Sequence, residues 1–331
     1  MKEIVITGAI AYDYLMRFPG KFREQLLLDK LDRISVSLLV DDMARHWGGT
    51  GANIAYNMGL LGMKPRLAAT AGRDFADYRA WLESAGVDTR AVIVIEEVFT
   101  ASFFANTDTE NNQIGSFYGG AMAFARHYSL ADTVDVQPDY VVISPNDPVA
   151  MSNLVDECIR RGIPYMYDPS QQLPRLEPEV LRHGVEHAHA LTVNDYEWNL
   201  LSRKTGMSEA YILDRVKVMA RTLGKDGAEI YADGRHYSIP IYPTPTITDP
   251  TGVGDAFRAG LVCGMANQWP WDVTGRVASL CAAYALEKVG TQSHTYTPAD
   301  FVARYREVFD DHGALDPLLT TQRTQRASSQ P

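Results

Sequence analysis

Asp249-Pro-Thr-Gly-Val-Gly-Asp-Ala-Phe-Arg-Ala-Gly260 runs directly into the apolar stretch Leu261-Val-Cys-Gly-Met-Ala266. Gly252 and Gly254 free the backbone to turn tightly just where a helix begins, so successive amide hydrogens can point one way at the positive end of its dipole. Such a turn is a hole for an anion. Asp255 falls in the first helical turn beside it, where a carboxylate can accept a proton from a hydroxyl attacking a bound phosphoryl group. On spacing alone, an aspartate that merely caps a helix after a glycine turn explains the stretch equally well.

Outward from this segment, short β-type runs alternate with helical stretches. Ile4–Ile6, Arg66–Ala71, Tyr140–Ser144, Pro164–Tyr167, Ala190–Val193 and Ala228–Tyr231 read as strands, and 50–61, 77–85, 148–161, 208–222, 253–267 and 271–288 as helices. Strands apolar throughout and separated by helices predict an α/β fold with a mainly parallel sheet covered on both faces. Residues 34–40 and the pair 98–106 with 113–118 break that rhythm and read as strands and a hairpin without helices between them. They predict a small β-sheet lid standing on the core. The expected organisation is a core of residues 1–12, 44–95 and 121–315, a lid of residues 13–43 and 96–120, and a disordered tail over 316–331.

A second glycine cluster, Gly48-Gly-Thr-Gly-Ala-Asn-Ile-Ala-Tyr-Asn-Met-Gly-Leu-Leu-Gly62, also leads into a helix. A ligand can approach the backbone at Gly49, and the Asn53 amide can both donate to and accept from a hydroxyl. Close packing of helix on sheet is the alternative explanation. Neither cluster is a Walker A loop, because Gly20-Lys21 and Gly224-Lys225 lack the Ser or Thr that must follow. Nor does Gly49-Thr-Gly51 complete a dinucleotide fingerprint, since Ile54 stands at the third glycine position. His187-Ala-His189 is too isolated for a metal site, and no Cys-x-x-Cys, His-Glu-x-x-His or Gly-x-Ser-x-Gly occurs.

The 331 residues carry 41 acidic against 31 basic side chains, a net −10 without a lysine or arginine run, which argues against nucleic acid as a partner. No apolar run approaches the roughly 18 residues of a membrane helix, and Glu3 and Tyr12-Asp13-Tyr14 argue against a signal segment. The three cysteines, Cys158, Cys263 and Cys281, are odd in number and sit in apolar surroundings. They read as free thiols in a reducing compartment, which points to a cytoplasmic protein.

The two glycine clusters, in this order and at this distance, resemble the signatures of the PfkB family, the ribokinases and adenosine kinases, over roughly residues 1–310. The one departure in the late motif is Val253, where alanine is usual, at a position that contributes mainly its backbone amide. The resemblance implies a ribokinase-like fold and an ATP-dependent kinase with Asp255 as base and the amides of Gly252, Val253 and Gly254 stabilising the transferred phosphoryl group. It implies a substrate site of Asp13, Gly49 and Asn53, although Asp13 taken alone reads as a turn residue. Asn194-Asp-Tyr-Glu197 matches the element that orders Mg²⁺-bound water and phosphate, and it is also a helix capping box. Thr222, Gly224 and Gly227 would line ATP, the stretch from Ala282 to Gln292 would wall its adenine, and Asp249 with Thr251 would adjoin a monovalent cation such as K⁺.

The lid segment 106–122 and Asp168-Pro-Ser-Gln-Gln172 are similar to those of prokaryotic adenosine and nucleoside kinases. Phe104, Phe117 and Tyr118 could give a base an apolar or stacking surface and Gln113 could bond a ring edge, although packing within the lid explains such aromatics too. Residues 98–120 hold no lysine or arginine to face a sugar phosphate, but Arg17, Lys21 and Arg23 could serve that purpose. The expected reaction is therefore phosphorylation of the 5′-hydroxyl of a nucleoside. A ribokinase-type sugar kinase is the alternative within the family, and a non-catalytic ligand sensor the alternative outside catalysis. A homodimer through the lid is left open.

Overall fold

The computed structural model describes residues 2–25 and 36–320. Among them thirteen strands form: β1 (Ile4–Thr7), β2 (Ala11–Arg17), β3 (Asp42–Gly48), β4 (Arg66–Gly72), β5 (Val92–Ile95), β6 (Ala101–Thr107), β7 (Gln113–Tyr118), β8 (Tyr140–Ile143), β9 (Tyr165–Tyr167), β10 (Ala190–Asn194), β11 (Val218–Thr222), β12 (Ala228–Ala232) and β13 (Arg235–Ile239). Nine of them make one sheet in the order β13-β12-β11-β10-β9-β8-β1-β4-β5. It is parallel from β11 to β5 and antiparallel only at β12 and β13. The parallel strands are buried on both faces, as their unbroken apolar runs require: every residue of β4 is buried, and so is every residue of β1.

The chain leaves β1 toward β4 on one side and reaches β8 on the other. Strand order therefore reverses beside β1, which opens a crevice at the carboxyl ends of the strands. Two helices deliver their N-termini to that end, Thr50–Leu60 and Val253–Asn267, and they pack against each other. The remaining four strands form a separate sheet in the order β3-β2-β6-β7, standing over the crevice.

Three expectations need correction. Residues 208–222 are not one helix: a short helix, Glu209–Leu213, is followed by β11, which is inserted between β10 and β12. A buried run such as Val218-Met-Ala can satisfy either element, and here the sheet supplies its hydrogen-bond partners. The strand read at 34–40 is displaced to β3, so the small sheet reaches Gly48; residues 34 and 35 lie outside the described residues, and 36–40 are irregular. Residues 316–320 form a helical turn in which Leu318 is buried, so the chain is packed well past residue 315. The rest of the predicted tail, 321–331, lies outside the described residues.

Candidate active site

Gly252 takes φ = 78°, the left-handed region, and ends the loop exactly one residue before the helix Val253–Asn267. A side chain there would place its Cβ 2.8 Å from Thr291 Cβ, so glycine is needed for both conformation and space. The first-turn amides of this helix lack intrahelical partners, and that of Val253 makes a long 3.4 Å bond to the Pro250 carbonyl in the turn before it. Two cavities meet at this turn. One, of about 620 Å³, is lined by Asp13, Gly49, Asn53, Phe103, Gln113, Gly252 and Asp255 among others. The other, of about 390 Å³, is lined by Thr222, Gly224, Gly227, Val253, Gly254, Ala282 and Leu286 among others. One helical turn thus presents Asp255 to the first cavity and Val253 and Gly254 to the second.

Asp255 is buried, with 7% of its surface exposed, and both its oxygens are engaged. Asn53 Nδ2 donates to Oδ2 at 2.8 Å and Arg258 Nη1 donates to Oδ1 at 3.4 Å. Burial pushes the Asp255 pKa up, and the Arg258 charge and the Asn53 hydrogen bond pull against it. Asn53 is itself oriented from behind. Gln292 Nε2 donates to Asn53 Oδ1 at 2.9 Å, and the Thr291 hydroxyl reaches the same oxygen at 2.8 Å. Gln292 is held by Trp81 Nε1, which donates to its Oε1, and by Tyr78, whose hydroxyl accepts from its Nε2. With Oδ1 so occupied, the Asn53 amide can turn only its NH₂ toward Asp255, and one N–H remains for a ligand hydroxyl.

The helix Thr50–Leu60 follows Gly49, which has φ = 91° and in which an added Cβ would lie 2.5 Å from the carbonyl oxygen of Ala9. That close approach sets the start of the helix, and with it Asn53, against the end of β1. Asp13 is not in a turn but in the middle of β2, paired with His46 of β3 and Phe103 of β6. Its carboxylate is enclosed near Asp249 and Asp255. Burial and those two negative charges push its pKa up to about 6.

An ionised Asp13 therefore opposes folding. A rise from 3.8 to about 6 makes the charged form less stable in the folded chain by up to about 3 kcal/mol. The penalty is absent below about pH 4, grows to about pH 6 and is constant above. Asp13→Asn should thus raise the melting temperature at pH 8 and leave it unchanged near pH 3.5, as differential scanning calorimetry at the two pH values would measure. Equal melting temperatures at pH 8 would refute the burial argument.

Glu197 caps its own helix: its Oε2 accepts from the Asn194 backbone N–H, and Asn194 Oδ1 accepts from the Glu197 N–H, each at 2.8 Å. Its Oε1 accepts from the Ser170 hydroxyl at 3.2 Å. Ser170, at φ = 32°, holds strained backbone beside this site. Asp249 clamps two loops, accepting from the N–H of Thr251 at 2.9 Å and of Gly290 at 3.0 Å.

Some expected contributors go elsewhere. Phe104 shares the β-sheet face of Tyr14, on which it stacks at 4.9 Å, opposite the face of Asp13, and it does not line the cavity. Phe103, one residue earlier, does. Tyr118 is outside the lining too, whereas Phe117 and Gln113 belong to it. Lys21 and Arg23 both pair with Glu110, each at 2.9 Å, and neither they nor Arg17 line the cavity. The stretch read as an adenine wall divides: Ala282, Ala283 and Leu286 line the smaller cavity, but Gly290 and Thr291 line the larger one. The residues that sequence reasoning missed are His46, Phe103, Arg175, Tyr78, Trp81 and Arg258, while Gln292, read as the end of an adenine wall, stands behind Asn53 instead. Only Arg258, inside the late motif, carried any local signal.

The sequence pattern of pfkB family carbohydrate kinases matches residues 7–298. The chain belongs to the pfkB family. A search of solved structures finds the ligand-free nucleoside kinase of Burkholderia thailandensis at 35% identity and a TM-score of 0.83, covering 91% of this chain and 99% of that one. The same enzyme with ADP and inosine bound is matched at 36% identity and a TM-score of 0.79, over 92% and 96%. Among curated proteins, the nucleoside kinase of Methanocaldococcus jannaschii is 26% identical over 90% of this chain and 94% of its own length. The ribokinase of Thermotoga maritima, at 19% identity and a TM-score of 0.75 over 92% and 100%, shares the ribokinase-like fold of the family.

Proposed function

We propose that this chain is an ATP-dependent kinase that phosphorylates the 5′-hydroxyl of a nucleoside, and that it acts in purine salvage in the cytoplasm. The observation that carries the reading is the placement of Asp255 and the glycine turn at the boundary of two cavities, one for each substrate. The acceptor would lie in the larger cavity with its sugar between Asp13 and Asn53. ATP would lie in the smaller one, its phosphates directed at the amides of Gly252, Val253 and Gly254. Asp255 takes the proton of the attacking hydroxyl, and those amides meet the charge that develops on the transferred group.

The smaller cavity suits adenine, with Ile239, Ile241, Tyr242 and Leu286 as apolar walls and Thr222 and Gly224 at its edge. Magnesium fits as well. Among the described residues no three His, Cys, Asp or Glu side chains converge to hold a metal, so the ion would be held largely by phosphate and water, with Glu197 and Asn194 orienting that water. It would neutralise phosphate charge as the group is transferred. Asp249 and Thr251, whose loop is fixed by backbone bonds, would carry a K⁺ ion beside the anion hole.

Two observations separate the readings. The lining of the larger cavity holds three carboxylates, Asp13, Asp249 and Asp255, against Arg175 alone among lysines and arginines. That balance favours an uncharged acceptor over a sugar phosphate. Its volume of about 620 Å³ exceeds the need of a free pentose and leaves room for a base against Phe103 and Phe117. The inosine and ADP bound by the Burkholderia enzyme support the same choice. Exposed Phe99, Phe104 and Tyr118 on and beside the small sheet would also serve a homodimer through the lid.

ATP consumption measured with adenosine, inosine, guanosine, cytidine, ribose and fructose tests the proposal. At least one nucleoside should exceed ribose in kcat/KM by about tenfold or more, because a base in a fitted pocket adds that much discrimination. Turnover of ribose or fructose alone would make the chain a sugar kinase. No turnover, with nucleoside binding retained in calorimetry, would make it a sensor.

A further inference from the structure

Arg258 lies one helical turn beyond Asp255, buried to 7% exposure, and its guanidinium faces three carboxylates from three separate elements. Its Nε stands 2.8 Å from Asp168 Oδ2, at the end of β9, and its Nη1 3.4 Å from Asp255 Oδ1. Its Nη2 stands 4.0 Å from Glu197 Oε2, in the first turn of the helix Asp195–Thr205. Asp168 is wholly buried, and among the described residues no hydrogen-bond donor is oriented toward either of its oxygens. The guanidinium is therefore its main compensation. A planar fork spreads its N–H donors over three nitrogens and can meet carboxylates on separate elements in one fixed geometry, whereas an ammonium gathers its three donors on one atom.

We infer that Arg258 is a positioning residue for phosphoryl transfer: it fixes the Asp255 carboxylate from the side opposite Asn53 and locks the base to Asp168 and Glu197. The inference rests on the kinase reading for its catalytic consequence, but not for its geometry. Asn53 grips one oxygen of the base and Arg258 the other, so rotation of the carboxylate is blocked at both ends. The same fork ties the catalytic helix to the strained turn at Ser170 and to the capping box at Asn194 and Glu197. The base and the elements flanking both cavities thereby move as one body. Without the guanidinium, three buried carboxylates would face one another unpaired, and water entry or side-chain rotation would relieve them.

The test uses Arg258→Lys, Arg258→Met and the double variant Arg258→Met/Asp168→Asn. In Arg258→Met, kcat should fall about 10²-fold with nucleoside KM within threefold, since a base misplaced by about 1 Å costs that much. Arg258→Lys should recover part of the loss and remain about tenfold slow, because it keeps the charge and lacks the fork. Should Arg258→Met fail to fold, the double variant removes the unpaired Asp168 charge and should fold, yet stay slow. Crystal structures of the variants give a readout independent of turnover: the Asp255 carboxylate should swing away from Asn53. Full activity in Arg258→Lys, wild-type activity in the double variant, or an unmoved Asp255 would overturn the inference. A wild-type protein inactive on every acceptor would instead overturn the kinase reading and leave the structural readout to decide the positioning role.

Discussion

Asp255→Asn lowers kcat by about 10³-fold while leaving nucleoside KM within a few-fold, the effect expected when a general base alone is removed. Asparagine is isosteric and its one oxygen can still accept from Asn53 Nδ2, which sets its NH₂ against Arg258 Nη1 and gives up that longer 3.4 Å contact, while the amide turn beside it is untouched. What disappears is the lone pair basic enough to take a proton. Folding should not suffer. Burial raises the Asp255 pKa, so its ionised form is a net cost to the folded state at neutral pH, and a neutral amide removes that cost. Arg258 keeps Asp168 and Glu197 as partners. The variant should therefore melt at or above the wild-type temperature at pH 8. A kcat within tenfold of wild type, measured in the same ATP-consumption assay, would remove Asp255 from the catalytic role.

Gly252→Ala lowers kcat by about 10²-fold, in the range seen when an oxyanion donor is displaced. The reason is steric and conformational together. At φ = 78° an alanine is strained, and its Cβ would meet Thr291 Cβ at 2.8 Å and Cγ2 at 2.9 Å. Thr291 cannot retreat freely, because its hydroxyl touches Asn53 and the carbonyl of Trp47. The turn must move, and with it the amides proposed to meet the phosphoryl group. A stability loss of about 1–3 kcal/mol in urea denaturation should accompany the rate loss. Val253→Ala is the matching control: its contribution is a backbone amide, so kcat should stay within about threefold. Equal rates for Gly252→Ala and wild type would show that the turn does not bind charge.

Much of this site was legible because its central parts are local in sequence. The anion turn, the start of the helix after it and Asp255 fall within one dodecapeptide, and the capping box at Asn194 and Glu197 is a four-residue signal. Reading the parallel core was equally direct, since fully buried strands leave unbroken apolar runs. The small sheet was harder. In a two-faced strand one residue of register decides which side chain meets the ligand, and Phe103 and Phe104 offer no local reason to prefer either. β11 was missed because Val218-Met-Ala suits a helix as well as a buried strand, and only its neighbours in the sheet decide. The support behind Asn53 is legible nowhere: Gln292 and Trp81 lie 211 residues apart and meet only through the fold. Arg258 was printed in the motif, but its three acidic partners come from positions 168, 197 and 255.

The small sheet is threaded into the core rather than appended to it. β2 begins at Ala11, just after β1, and β3 ends at Gly48, just before the helix Thr50–Leu60. Asp13 consequently belongs to the cover, while Asn53 and Asp255 belong to the floor. A sugar held by both would be the linchpin between two bodies, its remote hydroxyls supplying the grip that keeps them together. Water can present a hydroxyl to Asp255 but cannot span that gap. Under the kinase reading, discrimination against futile hydrolysis would in this way be built into the chain's threading, through an acceptor that fastens the compartment in which it reacts.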